Sequence, residues 1–454
     1  LKWRAAAALA VLVLCLDALG GATADVFLGA VRPRIISMPR RMRKTRCSVS
    51  GSAIGWRTMM RKLESSNDAR RDMKPSSIPA ARVPVLDVAT RRIHVAPMMG
   101  YTDCAFRYLM RLLSKDVVLW TEMVVATELL HKAAHGDRCG VDRLVRLSDA
   151  CREPPTILQL GGSRPELLAE AVALAAPFGY SEINLNCGCP GKLATKGQSS
   201  LGPRHLSRKL RAYNREQGSG SGAALMQDPE LVRDCTTAMT EAATSTSLPV
   251  SVKCRIGVHN TVDDMRRNGE EYDTLAKFVD TVASAGHVKR FHVHARSAVL
   301  DGLGAYANRD IPPLRYDFVY RLADDRPDLS FTLNGGIVSH EDVNVHLKHG
   351  LDVMVGRWVL EDPWALRSKA AERQGRNEVL HRYLQWALEA ASEKRVEPLR
   401  KLLTPIELLF KGATNTKRYH HAVKKLCSAT NTRFNWVGSA ARGYLGQTQG
   451  YTTV

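Results

Sequence analysis

One alternation restricts the fold of this chain more than any other feature. From residue 93 onward, short β-branched or apolar runs alternate with stretches of helical periodicity, the pattern of βα units that pair into a parallel sheet. The runs fall at 93–98, 117–123, 156–161, 182–186, 250–256, 290–295, 330–334 and 352–356, eight in all. Helix starts sit between them: Ser163-Arg-Pro165-Glu166 reads as a capping box with Pro in the first turn, Asp228-Pro229 is similar, and Ser339-His-Glu-Asp342 opens another. Eight units in about 270 residues is the size of a (β/α)8 TIM barrel, so an α/β barrel over 93–366 is expected.

A barrel of this kind assembles its site where the strands end. Polar residues and glycines gather at those points: Pro97-Met98-Met99, Gln159, Asn186-Cys187-Gly188-Cys189-Pro190, Lys253 with Arg255, His292 with His294 and Arg296, Asn334-Gly335-Gly336, and Gly356-Arg357. Taken singly, each has a plain structural explanation. Gln159 or His294 alone reads as a satisfied core polar group, Met98-Met99 as packing, and Lys253 as a snorkelling surface residue. Together, at seven ends of one barrel, they read as a site.

The chemistry follows from the residue types. Asn334-Gly335-Gly336 after the seventh strand and Gly356-Arg357 after the eighth occupy the position where barrels commonly bind phosphate. Glycine lets backbone N–H groups approach the oxygens, and Arg357 adds a cation. Lys253 and His294 can face the electron-rich edge of a flavin, and Gln159 offers a donor and an acceptor to a ring imide. No G-x-G-x-x-G follows a strand, which favours FMN over a dinucleotide. Cys189, on a glycine- and proline-shaped loop, can donate a proton while the flavin delivers hydride, the two halves of reducing a polarised C=C bond. The plain alternative for a solitary Cys is inert packing.

The motifs His94-Val-Ala-Pro-Met-Met-Gly-Tyr-Thr-Asp103, Leu158-Gln-Leu-Gly-Gly162, Glu182-Ile-Asn-Leu-Asn-Cys-Gly-Cys-Pro190, Val252-Lys-Cys-Arg-Ile-Gly257, Val293-His-Ala-Arg296, Asn334-Gly-Gly336 and Val355-Gly-Arg357 resemble those of the tRNA-dihydrouridine synthases. Ala307-Asn-Arg-Asp-Ile-Pro-Pro313 is similar to the A subfamily, and weaker likeness continues at Leu409-Phe-Lys-Gly412 and Lys417-Arg-Tyr419. The resemblance implies an FMN barrel with a small C-terminal helical domain, here 367–430, that reduces uridine in tRNA with NADPH as reductant. It implies FMN contacts from Pro97, Met98, Met99, Gln159, Lys253, His294, Asn334, Gly335, Gly336, Gly356 and Arg357. Cys189 would protonate uracil C5 after hydride from flavin N5 reaches C6. Asn186, Arg296, Arg309, Lys417 and Arg418 would meet the tRNA. The target implied is the D-loop, principally U20 and with U20a as a second candidate, its base flipped out to reach the flavin.

Two departures stand out. A basic insert at 199–220 (Arg204, Arg208, Lys209, Arg211, Arg215) precedes Ser221-Gly-Ala-Ala-Leu-Met226, and its end, Gly218-Ser-Gly-Ser-Gly222, is linker-like. It reads as an extra contact to tRNA phosphate or as a tolerated loop. After Val423 the chain is shortened or divergent relative to the pattern, which bears on where the helical domain ends, and 431–454 reads as a tail.

The formal charge of +20 from 65 Lys+Arg and 45 Asp+Glu points to a polyanion partner, but it is unevenly placed. Residues 1–92 carry +12, 199–220 carry +4, 396–454 carry +7, and the remainder carries −3. The first 92 residues read as a targeting leader. Lys2 and Arg4 precede an apolar stretch at 5–16 and Ala22-Thr23-Ala24, a signal-like pattern over 1–24, and an Arg- and Ser-rich, acid-poor segment at 25–87 is transit-like. This bipartite arrangement favours a plastid, with mitochondrion and cytoplasm as alternatives. Asp17 and the short apolar length argue against a membrane span, and a start upstream of Leu1 is expected because the first residue is not Met. The 10 Cys show no framework spacing, so reduced thiols and no metal site are expected, and Cys187 and Cys189 alone are weak evidence for one. A monomer is expected. Two rivals remain: a flavin reductase of a small enone or free pyrimidine, separable by turnover without tRNA, and a non-catalytic RNA-binding protein, separable by binding tRNA while colourless.

Overall fold

The structure is a computed structural model that describes residues 92–145, 155–190, 222–268, 272–392, 399–413 and 416–429. The leader, apart from Arg92, the insert at 199–220 and the tail at 431–454 lie outside the described residues.

All eight expected runs are strands: β1 (Ile93–Val95), β2 (Leu119–Val125), β3 (Thr156–Gly161), β4 (Glu182–Cys187), β5 (Val250–Arg255), β7 (Arg290–His294), β9 (Ser330–Asn334) and β10 (Asp352–Val355). They form one parallel sheet in the order β1-β10-β9-β7-β5-β4-β3-β2. Its two edges meet, because Val118 N–H donates to Ile93 O and Val95 N–H to Val118 O, both at 2.9 Å. A closed parallel sheet leaves no edge to aggregate. β1 stops early because Pro97 follows, which has no N–H to give a ladder. A small second sheet, β6 (Val258–His259) with β8 (Ala298–Val299), caps the rim beyond β5 and β7. Two-residue strands leave no periodicity to read, so the sequence gives no sign of it.

Helices α1 (Cys104–Leu113), α2 (Ala126–Ala134), α3 (Arg138–Val145), α4 (Pro165–Ala175), α5 (Pro229–Ala243), α6 (Val262–Asn268), α7 (Tyr272–Ala283), α8 (Tyr316–Asp325), α9 (His340–Lys348) and α10 (Arg357–Glu361) follow or join the strands. Caps fix their starts: Asp103 accepts from Phe106 N–H at 3.0 Å, Asp228 from Leu231 N–H at 3.1 Å, and Ser339 from Asp342 N–H at 3.1 Å. The capping box expected at Ser163 is not formed. Arg164 is the N-cap and makes no side-chain cap bond, since Pro165 at the first helical position has no N–H to satisfy and fixes the start one residue later.

Leu109, Leu158, Leu160, Leu168, Val172, Val252 and Val279 are among the side chains fully buried between sheet and helices, each worth about 1.5–3 kcal/mol relative to exposure. Inside the barrel the packing is mixed. Trp120, Ile157 and Met354 form an apolar cluster, while His94, Glu182, Asn184, Ser251 and His292 are buried polar groups. Burial of that kind is tolerated only when hydrogen bonds replace water. Beyond the barrel, α11 (Lys369–Ser392), broken at Gly375, leads to α12 (Leu399–Leu403) and α13 (Thr416–Ala429). This helical region docks on α1, where Trp386 stacks on Tyr108 with centroids 4.4 Å apart and Leu402 packs against Ala105, while Tyr383 Oη ties α11 to α12 by donating to Leu402 O at 2.7 Å. No helix among the described residues is long and apolar enough to cross a membrane.

Candidate active site

Parallel pairing brings every strand's C-terminal end to one face of the barrel, and a cleft opens there. It encloses about 1180 Å3 including its open mouth, enough for a cofactor and part of a substrate. Pro97, Met98, Met99, Gln159, Asn186, Cys189, Lys253, His294, Arg309, Asn334, Gly335, Gly336, Gly356 and Arg357 all line it. Of the residues expected from sequence, Arg296, Lys417 and Arg418 do not. The Arg296 guanidinium donates to Pro312 O, and to Asp310 O at 3.2 Å, bracing the rim loop. Lys417 and Arg418 are exposed on α13.

At one end of the cleft, Gly335 and Gly336 adopt φ of 117° and 71°, the left-handed region that side chains disfavour. A Cβ on Gly336 would lie 2.6 Å from Leu314 Cδ1 and 2.8 Å from Tyr316 Oη. Tyr316 Oη donates to Gly335 O at 2.6 Å and fixes this turn. Asn334 Nδ2 donates to Met354 O at 2.8 Å, so its Oδ1 is presented to Lys253 Nζ at 3.2 Å. Arg357 is held across the mouth by Asp310 at 2.9 Å.

Positive charge dominates the middle. Burial, reinforced by Arg255, lowers Lys253 to about 8, and no carboxylate pairs with it among the described residues. Burial followed by the charges of Arg255 and Lys253 pushes His294 well below its ordinary value, leaving a neutral imidazole whose Nδ1 has no partner among the described residues. A buried cationic wall and an orphaned ring nitrogen are the features expected where a separate anionic or electron-rich group binds.

Beside that wall is the Cys189 loop, which follows β4 where Asn186 pairs with Lys253 of β5. Asn186 Oδ1 accepts from the N–H groups of both Gly188 and Cys189 at 3.1 Å. Arg255 Nε donates to Gly188 O at 3.0 Å, and its Nη1 to Ser297 O and Asn308 O at 2.8 Å. The chain on the far side of the insert returns to the same loop: Ala223 N–H donates to Cys189 O at 2.9 Å and Gly222 N–H to Asn186 O at 3.1 Å. Cys189 is half-buried and lines the cleft. Cys187, two residues earlier, points into the core, where burial raises its thiol well above the usual range and makes it inert. Cys187 is the last residue of β4 and packs with the core, whereas Cys189 lies beyond the strand's end on the loop, and that turn, not strand alternation, separates the two roles. No group of three or more His, Cys, Asp or Glu residues that could hold a metal occurs among the described residues.

Arg255 and Tyr316 are site residues that the sequence reading left unassigned. Arg255 was visible, two residues beyond Lys253 on the same face of β5. Tyr316 lies on α8 and carries no local signal.

The geometry defines a (β/α)8 barrel whose strand-end cleft brings together a left-handed glycine turn, Arg357, buried cations and the thiol of an ordered loop. Residues 94–200 and 213–438 match the family model described as "Dihydrouridine synthase (Dus)", and the chain belongs to that family of flavin-dependent enzymes. It is 44% identical over 278 residues to the tRNA-dihydrouridine(20/20a) synthase of Xanthomonas axonopodis pv. citri, covering 61% of this chain and 70% of that one. The protein of the same name from Xylella fastidiosa (strain 9a5c) is 45% identical over 275 residues, covering 61% and 68%. That from Synechocystis sp. is 41% identical over 278 residues, covering 61% and 70%.

Proposed function

We propose that this protein reduces the C5=C6 bond of uridine in the D-loop of tRNA, principally at U20 and also at U20a, with FMN as its flavin and NADPH as the reductant. The observation that carries the reading is the Cys189 loop, pinned by Asn186 and Arg255 in the same cleft as Lys253 and His294. A bound flavin supplies a hydride to C6 of the uracil ring.

The chain supplies the rest. The Cys189 S–H bond breaks and its proton goes to C5, leaving the bonding pair on sulfur as thiolate, so one hydride and one proton together saturate the bond. Lys253, beside Arg255, places positive charge where the reduced flavin ring would carry its negative charge, and Arg309 places it at the mouth where the substrate enters. Gln159 is committed more deeply than the sequence implied. Its Nε2 donates to Asn184 and its Oε1 accepts from Asn186, leaving one N–H and one lone pair for a ring imide. Gly335, Gly336 and Arg357 suit the single phosphate of a mononucleotide. Exposed Arg309 at the mouth, with Lys417 and Arg418 on α13, supports a polyanionic substrate too large to enter whole.

Cys189→Ala is expected to retain the flavin spectrum while dihydrouridine formation in unmodified tRNA falls at least about 10²-fold. Undiminished turnover by that variant would exclude the assigned role. Mapping dihydrouridine in tRNA from cells with and without the gene tests the position and, by comparing organellar with cytosolic tRNA, the plastid location proposed from the composition of the first 92 residues.

A further inference from the structure

The barrel interior holds a buried carboxylate that the proposed mechanism does not use. Resting on the assignment of Cys189 as proton donor, we propose that Glu182, at the opposite end of β4 from the cleft, is a positioning residue: through a one-way chain of buried hydrogen bonds its carboxylate fixes the amide orientation that holds the Cys189 loop.

Glu182, Asn184 and Asn186 are alternate residues of β4, so all three face the same side. The parallel register sets Gln159 of β3 on one flank of Asn184 and Ser251 of β5 on the other. From the cleft inward, the N–H groups of Gly188 and Cys189 donate to Asn186 Oδ1. Asn186 Nδ2 donates to Gln159 Oε1 at 2.8 Å, and Gln159 Nε2 to Asn184 Oδ1 at 2.9 Å. Asn184 Nδ2 donates to Ser251 Oγ at 2.8 Å, and the Ser251 hydroxyl donates to Glu182 Oε1. Glu182, Asn184 and Ser251 are fully buried, with Gln159 and Asn186 nearly so.

The direction of this chain is forced from both ends. Backbone N–H groups can only donate, and an ionised carboxylate can only accept. Between them, turning any one amide over would set two donors, or two acceptors, face to face inside the barrel, leaving buried polar groups unmet. Only one arrangement satisfies every contact, and it is the one that aims Asn186 Oδ1 at the catalytic loop. The accepting end is secured by Arg290 Nη1 at 2.5 Å from Glu182 Oε2 and by His292 Nε2 at 3.1 Å from Oε1. Burial alone would raise this carboxyl, but His292, Arg290 and Ser251 more than offset it and hold it at about 2, so it stays ionised at working pH. An apolar residue would serve barrel stability as well as an ion pair does. A fixed acceptor for a polarised chain needs the charge. Bonds in such a chain also polarise one another in the low-dielectric interior.

The test uses the full-length protein with its flavin, in Ser251→Ala, Ser251→Thr and Glu182→Gln forms. Amide hydrogen exchange at Gly188 and Cys189 reads the loop directly, without turnover. Ser251→Ala and Glu182→Gln are expected to exchange there at least about tenfold faster than wild type while β5 stays protected. Flavin reduction by NADPH should stay within about twofold of wild type, and re-oxidation by unmodified tRNA should slow at least about tenfold, because only the second half-reaction needs the thiol in place. Ser251→Thr, which keeps a hydroxyl, should recover both. Unchanged exchange at Gly188 and Cys189 in a flavin-loaded variant overturns the proposal. If Ser251→Ala loses its flavin, Glu182→Gln decides by the same measures, and loss of flavin in both shows a purely structural role and overturns it too. Wild-type flavin that tRNA fails to re-oxidise counts against the proposed function instead, while the exchange measurement still decides the role of Glu182.

Discussion

Lys253 shows how a single residue changes meaning with its surroundings. In sequence it is one more strand lysine, and the plain expectation is a solvated head group. In the barrel its ammonium meets Asn334 Oδ1 and a cationic neighbourhood, and burial with Arg255 brings it to about 8. A group so lowered loses its proton as pH rises through 8, and an electron-rich flavin ring binds the protonated form. Flavin affinity is therefore expected to be flat below pH 7 and to weaken by up to about tenfold per pH unit above 8. Lys253→Met should weaken binding at pH 7 by about 1.5–3 kcal/mol and abolish the pH dependence. Flavin titration by fluorescence quenching at several pH values measures both, and parallel profiles for the two proteins would rule out Lys253 as the titrating contact. Arg296 shows the opposite change. The resemblance implied a contact to tRNA; in the structure its Nη1 donates to the carbonyls of Pro312 and Asp310, and the residue does not line the cleft. Backbone carbonyls that a folded loop presents cannot be read from residue types.

Strands are where the sequence spoke most clearly. β3 and β9 have the bounds read from the apolar runs, and the other six are found within a few residues of them, since runs buried on both faces need continuous apolar character. What the runs concealed was their polar interior. Glu182 of β4 and His292 of β7 are 3.1 Å apart only because β5 separates the two strands in the closed sheet. Burial lowers His292 to about 4 against the opposing pull of Glu182. Its folded value thus lies below the ordinary 6.5, so its contribution to stability is complete above about pH 6.5 and is lost as pH falls toward 4. Glu182 adds a second loss with the same sign below that window, as pH falls from 4.5 toward 2. The melting temperature should begin to drop below pH 6.5, by at least about 2–4 °C at pH 4, the effect of roughly 1 kcal/mol in a domain of this size. Scanning calorimetry should find a shallower slope in His292→Gln, and equal slopes would exclude His292 as a contributor.

Across the whole molecule, charge and chemistry are kept apart. The barrel-forming sequence is near neutral at −3, while 396–454 carries +7; from that end α12 packs on the barrel through Leu402 against Ala105, and the preceding α11 does so through Trp386 on Tyr108 and through Tyr383. If this helical region guides a polyanion to the cleft, loosening its seat should harm tRNA binding more than flavin binding. Trp386→Ala is expected to cost about 1–3 kcal/mol of stability and to raise the KM for tRNA severalfold with the flavin spectrum unchanged. A variant that melts earlier yet keeps wild-type KM would show that the seat has no part in recognition. The sequence by itself determined the eight strands, the face on which they end and most of the residues gathered there, because alternation and strand-end position are local properties that the chain carries before it folds. Only the tertiary structure decided that Tyr316 belongs to the site, that Arg255 braces the Cys189 loop, that Arg296 does not line the cleft, and that Glu182 is joined to Cys189 through Ser251, Asn184, Gln159 and Asn186. Those links run between strands far apart in the chain, and the closed sheet's register, not any residue's type, sets which side chains meet.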